Sequence, residues 1–391
     1  MAKARKAGAT QSKLMTLLYG MQGTGKSTMA MQLAYFHNPD GSPFKILYLD
    51  AEGGSIDDYL TELEQNGVDL DNIYIVYTQS LGEVKEYINK VRDGEDFYVL
   101  DDDGNETPEV VLDADGKPFR ADAIVVDGTT ILNMTVQQGL ISFSQKRNAV
   151  KANKQGLIGD ERLVKVEGAG LEIKDWSTIN YKGQSFVLDL LASGVHCVIT
   201  ARETDEKVSI KDADGKITSV ATGKKIASGF KDMGFNCKTE IRLYKEDGDD
   251  ETVYAKVIKD RTKVHKHGEV IEDPSMLDWQ VVIDKTAKNK SFTLGNTLAE
   301  AVVTEQNIYE KETINKIDGQ MANHSSTNDT ESRSVDEVRK EIMAELKKVT
   351  DPTKKKEIKT KLSENQLPTQ FKQVTNVELL EKTLSFIKEN I

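Results

Sequence analysis

Eight consecutive residues constrain this chain more than any others. Gly20-Met21-Gln22-Gly23-Thr24-Gly25-Lys26-Ser27 satisfies the pattern G-x-x-x-x-G-K-[ST] in full. An apolar run, Leu14 to Tyr19, precedes it and a helix-like stretch, Ser27 to Phe36, follows, so the local order reads strand, loop, helix. Glycines at 20, 23 and 25 permit positive φ and let backbone N–H groups surround an anion with no Cβ in the way. A helix starting near Lys26 turns the positive end of its dipole toward the same place. Residues of these types at this spacing hold a triphosphate: Lys26 bridges the β and γ phosphates, the Ser27 hydroxyl ligates Mg²⁺, and the binding segment runs on through Thr28. The expected ligands are ATP, or a close relative, and Mg²⁺.

A serine alone holds Mg²⁺ weakly, so a carboxylate is needed beside it. Ala123-Ile124-Val125-Val126-Asp127 is an apolar strand ending in an acid, which makes Asp127 the candidate. Hydrolysis further needs a group that orients or deprotonates water near the γ-phosphate. Leu47-Tyr48-Leu49-Asp50-Ala51-Glu52-Gly53-Gly54 puts a carboxylate just beyond a core strand, where α/β sheets bind ligands. Glu52 is the expected general base, with Asp50 its local rival.

Further strand-like runs at Lys45 to Leu49, Ile73 to Tyr77, Ala123 to Val126 and Val195 to Thr200 alternate with helical patterns. This predicts an α/β fold with a mainly parallel sheet covered on both faces. The core is expected over 14–319, after a basic N-terminal extension at 1–13. Turn signals at Asp103-Gly104 and Asp115-Gly116 predict an inserted β-hairpin over 93–119. A second hairpin, Val208 to Val220 around Asp214-Gly215, falls in an insertion over 201–235. Glu240 to Tyr244 and Thr252 to Ile258 read as an antiparallel pair extending the sheet. Residues 320–334 are small and polar, the composition of a flexible linker. The region 335–391 shows two helical patterns, Val335 to Val349 and Val377 to Ile387, separated by a segment rich in lysine (Lys354, Lys355, Lys356, Lys359, Lys361).

Together the loop at Gly20 to Ser27, the acid at Glu52 after the next strand and Asp127 on a later one resemble RecA-like P-loop ATPases. Gly128, not an acid, follows Asp127, which supports the RecA-like placement of the base. More narrowly, Lys174-Asp175-Trp176, Val198-Ile199-Thr200-Ala201-Arg202-Glu203, Gly229-Phe230-Lys231 and Val257-Ile258-Lys259-Asp260-Arg261 are similar to phage-encoded members, including Sak-type single-strand annealing ATPases. The resemblance covers about Lys13 to Asp284. It implies a ring or filament with ATP between subunits. It implies also that Thr200 senses the γ-phosphate, and that Lys259 and Arg261 reach a neighbour's nucleotide as catalytic cations. The implied role is DNA-stimulated ATP hydrolysis during recombination on single-stranded DNA.

The net charge of -12 excludes a surface uniformly adapted to nucleic acid, yet basic residues are segregated. Lys146, Arg147, Lys151 and Lys154 follow Asp127, while Lys224 and Lys225 follow Thr200; these six are the candidate DNA contacts, with Phe143 the one aromatic near the first group. The lysine-rich C-terminal region is a candidate arm for a single-strand binding protein or another replication or recombination partner. Rival readings on the same core are a replication or helicase-related motor and a nucleotide-gated protein-interaction module. No apolar stretch nears the roughly 20 residues that cross a bilayer, and Met1 to Lys13 has no apolar signal core, so a cytoplasmic location, in a bacterial host for a phage protein, is expected. Cys197 and Cys237 match no metal pattern and are expected as buried thiols, and His265 and His267 are given no metal role.

Overall fold

The computed structural model describes residues 4–211, 217–246, 248, 251–293, 297–321, 335–349, 351–365, 367–369, 371, 374 and 376–390. The chain divides into two compact units, Met1–Ile308 and Tyr309–Ile391.

Among the described residues the first unit is built on eleven strands: β1 (Met15–Gly20), β2 (Ile46–Asp50), β3 (Ile73–Tyr77), β4 (Tyr98–Leu100), β5 (Glu106–Val110), β6 (Ala123–Asp127), β7 (His196–Lys211), β8 (Ile217–Ala227), β9 (Thr239–Tyr244), β10 (Tyr254–Asp260) and β11 (Val270–Glu272). Its helices are α1 (Lys26–Met31), α2 (Asp57–Gln65), α3 (Leu81–Asp93), α4 (Thr129–Lys154), α5 (Gly159–Glu167), α6 (Ile173–Ser193), α7 (Met233–Asn236) and α8 (Gln280–Thr286). A ninth helix, α9 (Leu298–Met321), contains the boundary between the units. The main sheet runs β11-β10-β9-β1-β7-β6-β2-β3, with β8 paired to β7. From β9 to β3 neighbouring strands are parallel, and β10 and β11 close one edge antiparallel. The expected α/β class with a mainly parallel sheet is therefore present.

Every residue of β1, β2 and β6 is buried, because helices cover both faces of the sheet. The pleat divides each strand between two cores. Leu17, Tyr19, Leu47, Leu49, Ile124 and Val126 pack on one face with Val84 and Ile88 of α3 and Phe186 and Leu190 of α6. Leu18, Ile46, Tyr48, Ala123 and Val125 pack on the other with Met29 and Ala30 of α1 and Val282 and Ile283 of α8. Cys197 and Cys237 are free and buried, and burial pushes both thiols up to about 12.

The insertion over 93–119 contains the expected hairpin, β4 with β5. Asp113 fastens it, accepting from the Lys117 N–H (2.9 Å) and pairing with Lys45 at the foot of β2 (2.6 Å). The second expected hairpin is present, with Val208 opposite Val220, and is longer than its sequence signal. β7 continues through Thr200 to Lys211, and β8 pairs with it from Ala227 back to Ile217, giving one long ribbon. Its outer residues are mostly exposed. The Asp214-Gly215 turn lies outside the described residues. Part of the N-terminal extension is also tied down, as the Gln11 N–H donates to the Lys290 carbonyl (3.0 Å).

The second unit holds α10 (Val335–Lys348), α11 (Pro352–Glu364) and α12 (Val377–Asn390) around Val338, Ile342, Ile358, Leu362, Leu380, Leu384 and Ile387. Its lysine-rich segment is not a spacer between two helices but the middle helix. Pro352 occupies its first position, where a missing N–H costs nothing, and Ile358 and Leu362 sit one turn apart on its buried face. The expected linker lies outside the described residues except for residues 320 and 321, which end α9. Among the described residues no helix is long and apolar enough to cross a membrane.

His196 opens β7 against Phe44, and its Nδ1 accepts from the Leu14 N–H (3.2 Å). Burial, aided by Lys13 and Lys238, pushes its pKa from 6.5 down to about 3. The unfolded chain takes up this proton below about pH 6.5 and the folded chain does not, so His196 subtracts stability as pH falls from 6.5 toward 3, by up to about 1.4 kcal/mol per unit. His196→Asn, whose amide oxygen still accepts from Leu14, is expected to flatten the fall of the unfolding midpoint over that window in thermal melts. At the other end of β1, a Cβ on Gly20 would lie 2.1 Å from the Leu243 carbonyl oxygen. Gly20→Ala is expected to lower stability by about 3 kcal/mol, read from the denaturant midpoint.

Candidate active site

At the carboxyl ends of β1, β2 and β6, beside the middle of β7, lies a cleft of about 560 Å³ lined by Gly20, Gly23, Gly25, Lys26, Ser27, Thr28, Glu52, Ser55, Asp127, Arg202 and Glu203, among others. The loop from β1 into α1 carries Gly23 at φ 75° and Gly25 at φ 73°, the left-handed region that a side chain would strain. A Cβ at either position would meet nothing within 4 Å, so the glycines face open space of the kind a phosphate fills. The Thr24 hydroxyl donates to the Met21 carbonyl (2.9 Å) and braces the loop from behind. No side chain caps α1, which leaves its first-turn N–H groups to the cleft.

Asp127, at the end of β6, is buried and collects hydroxyl donors from four parts of the chain. Ser27 Oγ (2.8 Å), Tyr48 Oη (2.6 Å) and Ser55 Oγ (2.5 Å) donate to its Oδ2, and Thr200 Oγ1 donates to its Oδ1. Burial, with Asp127 beside it, drives the Tyr48 phenol well above the ordinary range, so that it stays a donor. Ser27 and Asp127 together form a hydroxyl and carboxylate pair of the oxygen type that Mg²⁺ selects.

Asp50 and Glu52 are separated by their hydrogen bonds. Asp50 is 1% exposed, accepting from the N–H groups of Glu52 (2.8 Å), Gly53 (2.9 Å) and Gly54 (2.7 Å). It builds the turn and leaves Glu52 as the acid that lines the cleft. Glu52 Oε1 accepts from Arg202 Nε (3.1 Å). Lys26 Nζ donates to the Met21 carbonyl (2.7 Å); burial lowers its pKa, with Glu52 and Asp127 opposing. Glu203, nearly buried, accepts at its two carboxylate oxygens from Nε and one terminal nitrogen of Arg242 (2.8 and 3.3 Å).

The structure thus brings Gly20, Gly23, Gly25, Lys26, Ser27, Thr28, Glu52 and Asp127 to one place. Thr200 is not among the residues that line this cleft. That side chain is 1% exposed and lies beneath the cleft, its oxygen shared between Asp127 and the Gly128 N–H (2.9 Å). Two residues on, and therefore on the same side of the strand, Arg202 lines the cleft instead. Arg202, Tyr48 and Ser55 had been given no role; the available signal was the period of two that places Arg202 with Thr200 and Tyr48 with Asp50.

Lys259 and Arg261 do not join this cleft. Asp260 pairs with Thr239, and Thr239 with Thr16, which puts both cations at the end of the sheet opposite the phosphate loop. Lys259 Nζ donates to the carbonyls of Gly234 and Phe235, and Arg261 is exposed. Of the DNA candidates, Lys146 and Lys154 are exposed on α4. Arg147 instead ties α4 to α6 through Asp175 (2.7 Å), Lys151 lies 3.9 Å from Glu172, and Lys224 and Lys225 face Glu206 (3.6 Å) and Asp205 (2.7 Å) across the ribbon.

No family model matches the chain, and no curated protein matches it. Among solved structures it is similar to a KaiC-like protein from the hyperthermophilic archaeon Pyrococcus horikoshii OT3, with 14% identity and a TM-score of 0.36, over 67% of this chain and 89% of that one.

Proposed function

We propose that the chain is a RecA-like P-loop ATPase that binds ATP with Mg²⁺ and hydrolyses it. The observation that carries this reading is the convergence of Lys26, Ser27, Glu52 and Asp127 on one cleft whose floor is a glycine loop. Ser27 and Asp127 would hold Mg²⁺, which supplies charge neutralisation on the phosphate oxygens. Lys26 leaves the Met21 carbonyl for the phosphates, and the loop amides surround them. Glu52 orients a water and accepts its proton. Asp50, through three backbone amides, and Thr200, Tyr48 and Ser55, through Asp127, position these groups without touching the nucleotide.

The finer reading is action on single-stranded DNA in phage-type recombination, with subunits assembled so that Lys259 and Arg261 serve a neighbour's nucleotide. It is supported by the distance of those cations from their own phosphate loop and by exposed Lys146 and Lys154 on the helix that starts two residues after Asp127. The C-terminal unit, with its lysine-rich helix α11, is the proposed arm for a replication or recombination partner.

Lys26→Ala is expected to abolish measurable ATP binding in calorimetry. Glu52→Gln is expected to keep binding and to lose hydrolysis by about 10² to 10⁴-fold. Retention of full affinity by the first variant refutes the nucleotide reading. For the finer reading, chains with Lys26→Ala and chains with Lys259→Ala and Arg261→Ala, each inactive alone, are expected to recover hydrolysis when mixed. Single-stranded DNA is expected to raise the natural chain's rate, with binding that weakens steeply as salt is raised. Hydrolysis indifferent to DNA, with no salt-sensitive binding, removes the recombination role.

A further inference from the structure

Arg202 is the cation of the cleft that the reaction above leaves without a task. The register of β7 on β1 sets it directly beside Gly20, the glycine that opens the phosphate loop. Its backbone is pinned on both sides: its N–H donates to Thr130 Oγ1 (2.9 Å) and its carbonyl accepts from the Ser228 N–H (2.7 Å). From this fixed root the side chain lines the same cleft as Lys26, Ser27 and Glu52.

Only one edge of the guanidinium is engaged. Nε donates to Glu52 Oε1, and among the described residues neither terminal nitrogen has a hydrogen bond or ion pair. The other cation of this kind nearby, Arg242, is held in a two-point pair with Glu203 through Nε and one terminal nitrogen. A guanidinium carries five donors in a rigid plane, so it can hold a carboxylate at Nε and a phosphate at its far edge simultaneously. A lysine has no such second edge.

Resting on the ATPase reading, we propose that Arg202 is a catalytic residue acting within its own chain: its terminal nitrogens bind the γ-phosphate of ATP while Nε retains Glu52. One planar group then sets the base relative to the phosphate. In the step it serves, the water oxygen forms a bond to the γ-phosphorus and the water proton passes to Glu52. The bond from phosphorus to the bridging oxygen breaks, and ADP leaves with its electron pair. ADP has no γ-phosphate, so Arg202 distinguishes ATP from ADP, whereas Lys26 serves both.

The test compares the natural full-length chain with R202Q, R202K and K26A, measuring binding of Mg²⁺ with AMP-PNP or ADP by calorimetry, and hydrolysis at saturating ATP. R202Q is expected to bind AMP-PNP at least about 10-fold more weakly, to keep ADP affinity within about 2-fold, and to lose about 10²-fold or more in kcat. R202K is expected to recover part of the AMP-PNP affinity but not kcat, while K26A loses both nucleotides. An AMP-PNP to ADP affinity ratio and kcat unchanged in R202Q overturn the proposal and leave the ATPase reading intact. Should R202Q fail to fold, a natural kcat in R202K overturns it equally. A natural chain that binds neither nucleotide overturns the ATPase reading itself.

Discussion

The site depends on one buried carboxylate. Asp127 accepts hydroxyl donors from Ser27 in the phosphate loop, Tyr48 in β2, Ser55 in the loop beyond β2 and Thr200 in β7. A buried carboxylate is tolerated only when its oxygens are satisfied, and charge-assisted bonds of this kind fix their donors strongly. The four donors are therefore held in register by the acid they satisfy. The sheet makes this possible by placing β6 between β2 and β7, so that one side chain reaches both neighbours. A slip of one residue in either pairing would turn Asp127 to the opposite face and dissolve the cluster.

Much of this was legible in the sequence because the chemistry demands fixed residue types at short range. The glycines at 20, 23 and 25, followed by Lys26 and Ser27, announce a phosphate loop locally. Asp127 is legible as an acid closing a wholly apolar strand. Glu52 was legible only as one of two acids, and the choice between it and Asp50 required seeing three amides converge on Asp50. Apolar runs gave β1, β2 and β6 directly, since strands buried on both faces need no alternation.

What escaped the sequence lies where the usual signals compete. The β7–β8 ribbon stands mostly in solvent, so the sequence marked only its outer hairpin, Val208 to Val220, and not its continuity with the core part of β7. The lysines of α11 concealed Ile358 and Leu362, whose spacing of four places them on one helix face. Arg147 read as a free cation because Asp175, its partner, is 28 residues away. Thr200 and Arg202 share a side of one strand, and only the depth of burial separates the residue that supports Asp127 from the residue that reaches the cleft.

Charge accounts for how such a cleft stays assembled before a triphosphate enters. Its two cations are restrained within the protein, Arg202 by Glu52 and Lys26 by a backbone carbonyl, while Glu203 is neutralised separately by Arg242. In the proposed reading the entering phosphates would compete for Lys26 and for the open edge of Arg202 but need not disturb the Glu203 and Arg242 pair. That pair fastens the first residue beyond Arg202 on β7 to β9. The ribbon continues from this point along the same strand, with no intervening loop. A shift of the Arg202 backbone would have to break its bonds to Thr130 and Ser228, so the pinned root confines the response to the side chain, where the phosphate and Glu52 meet.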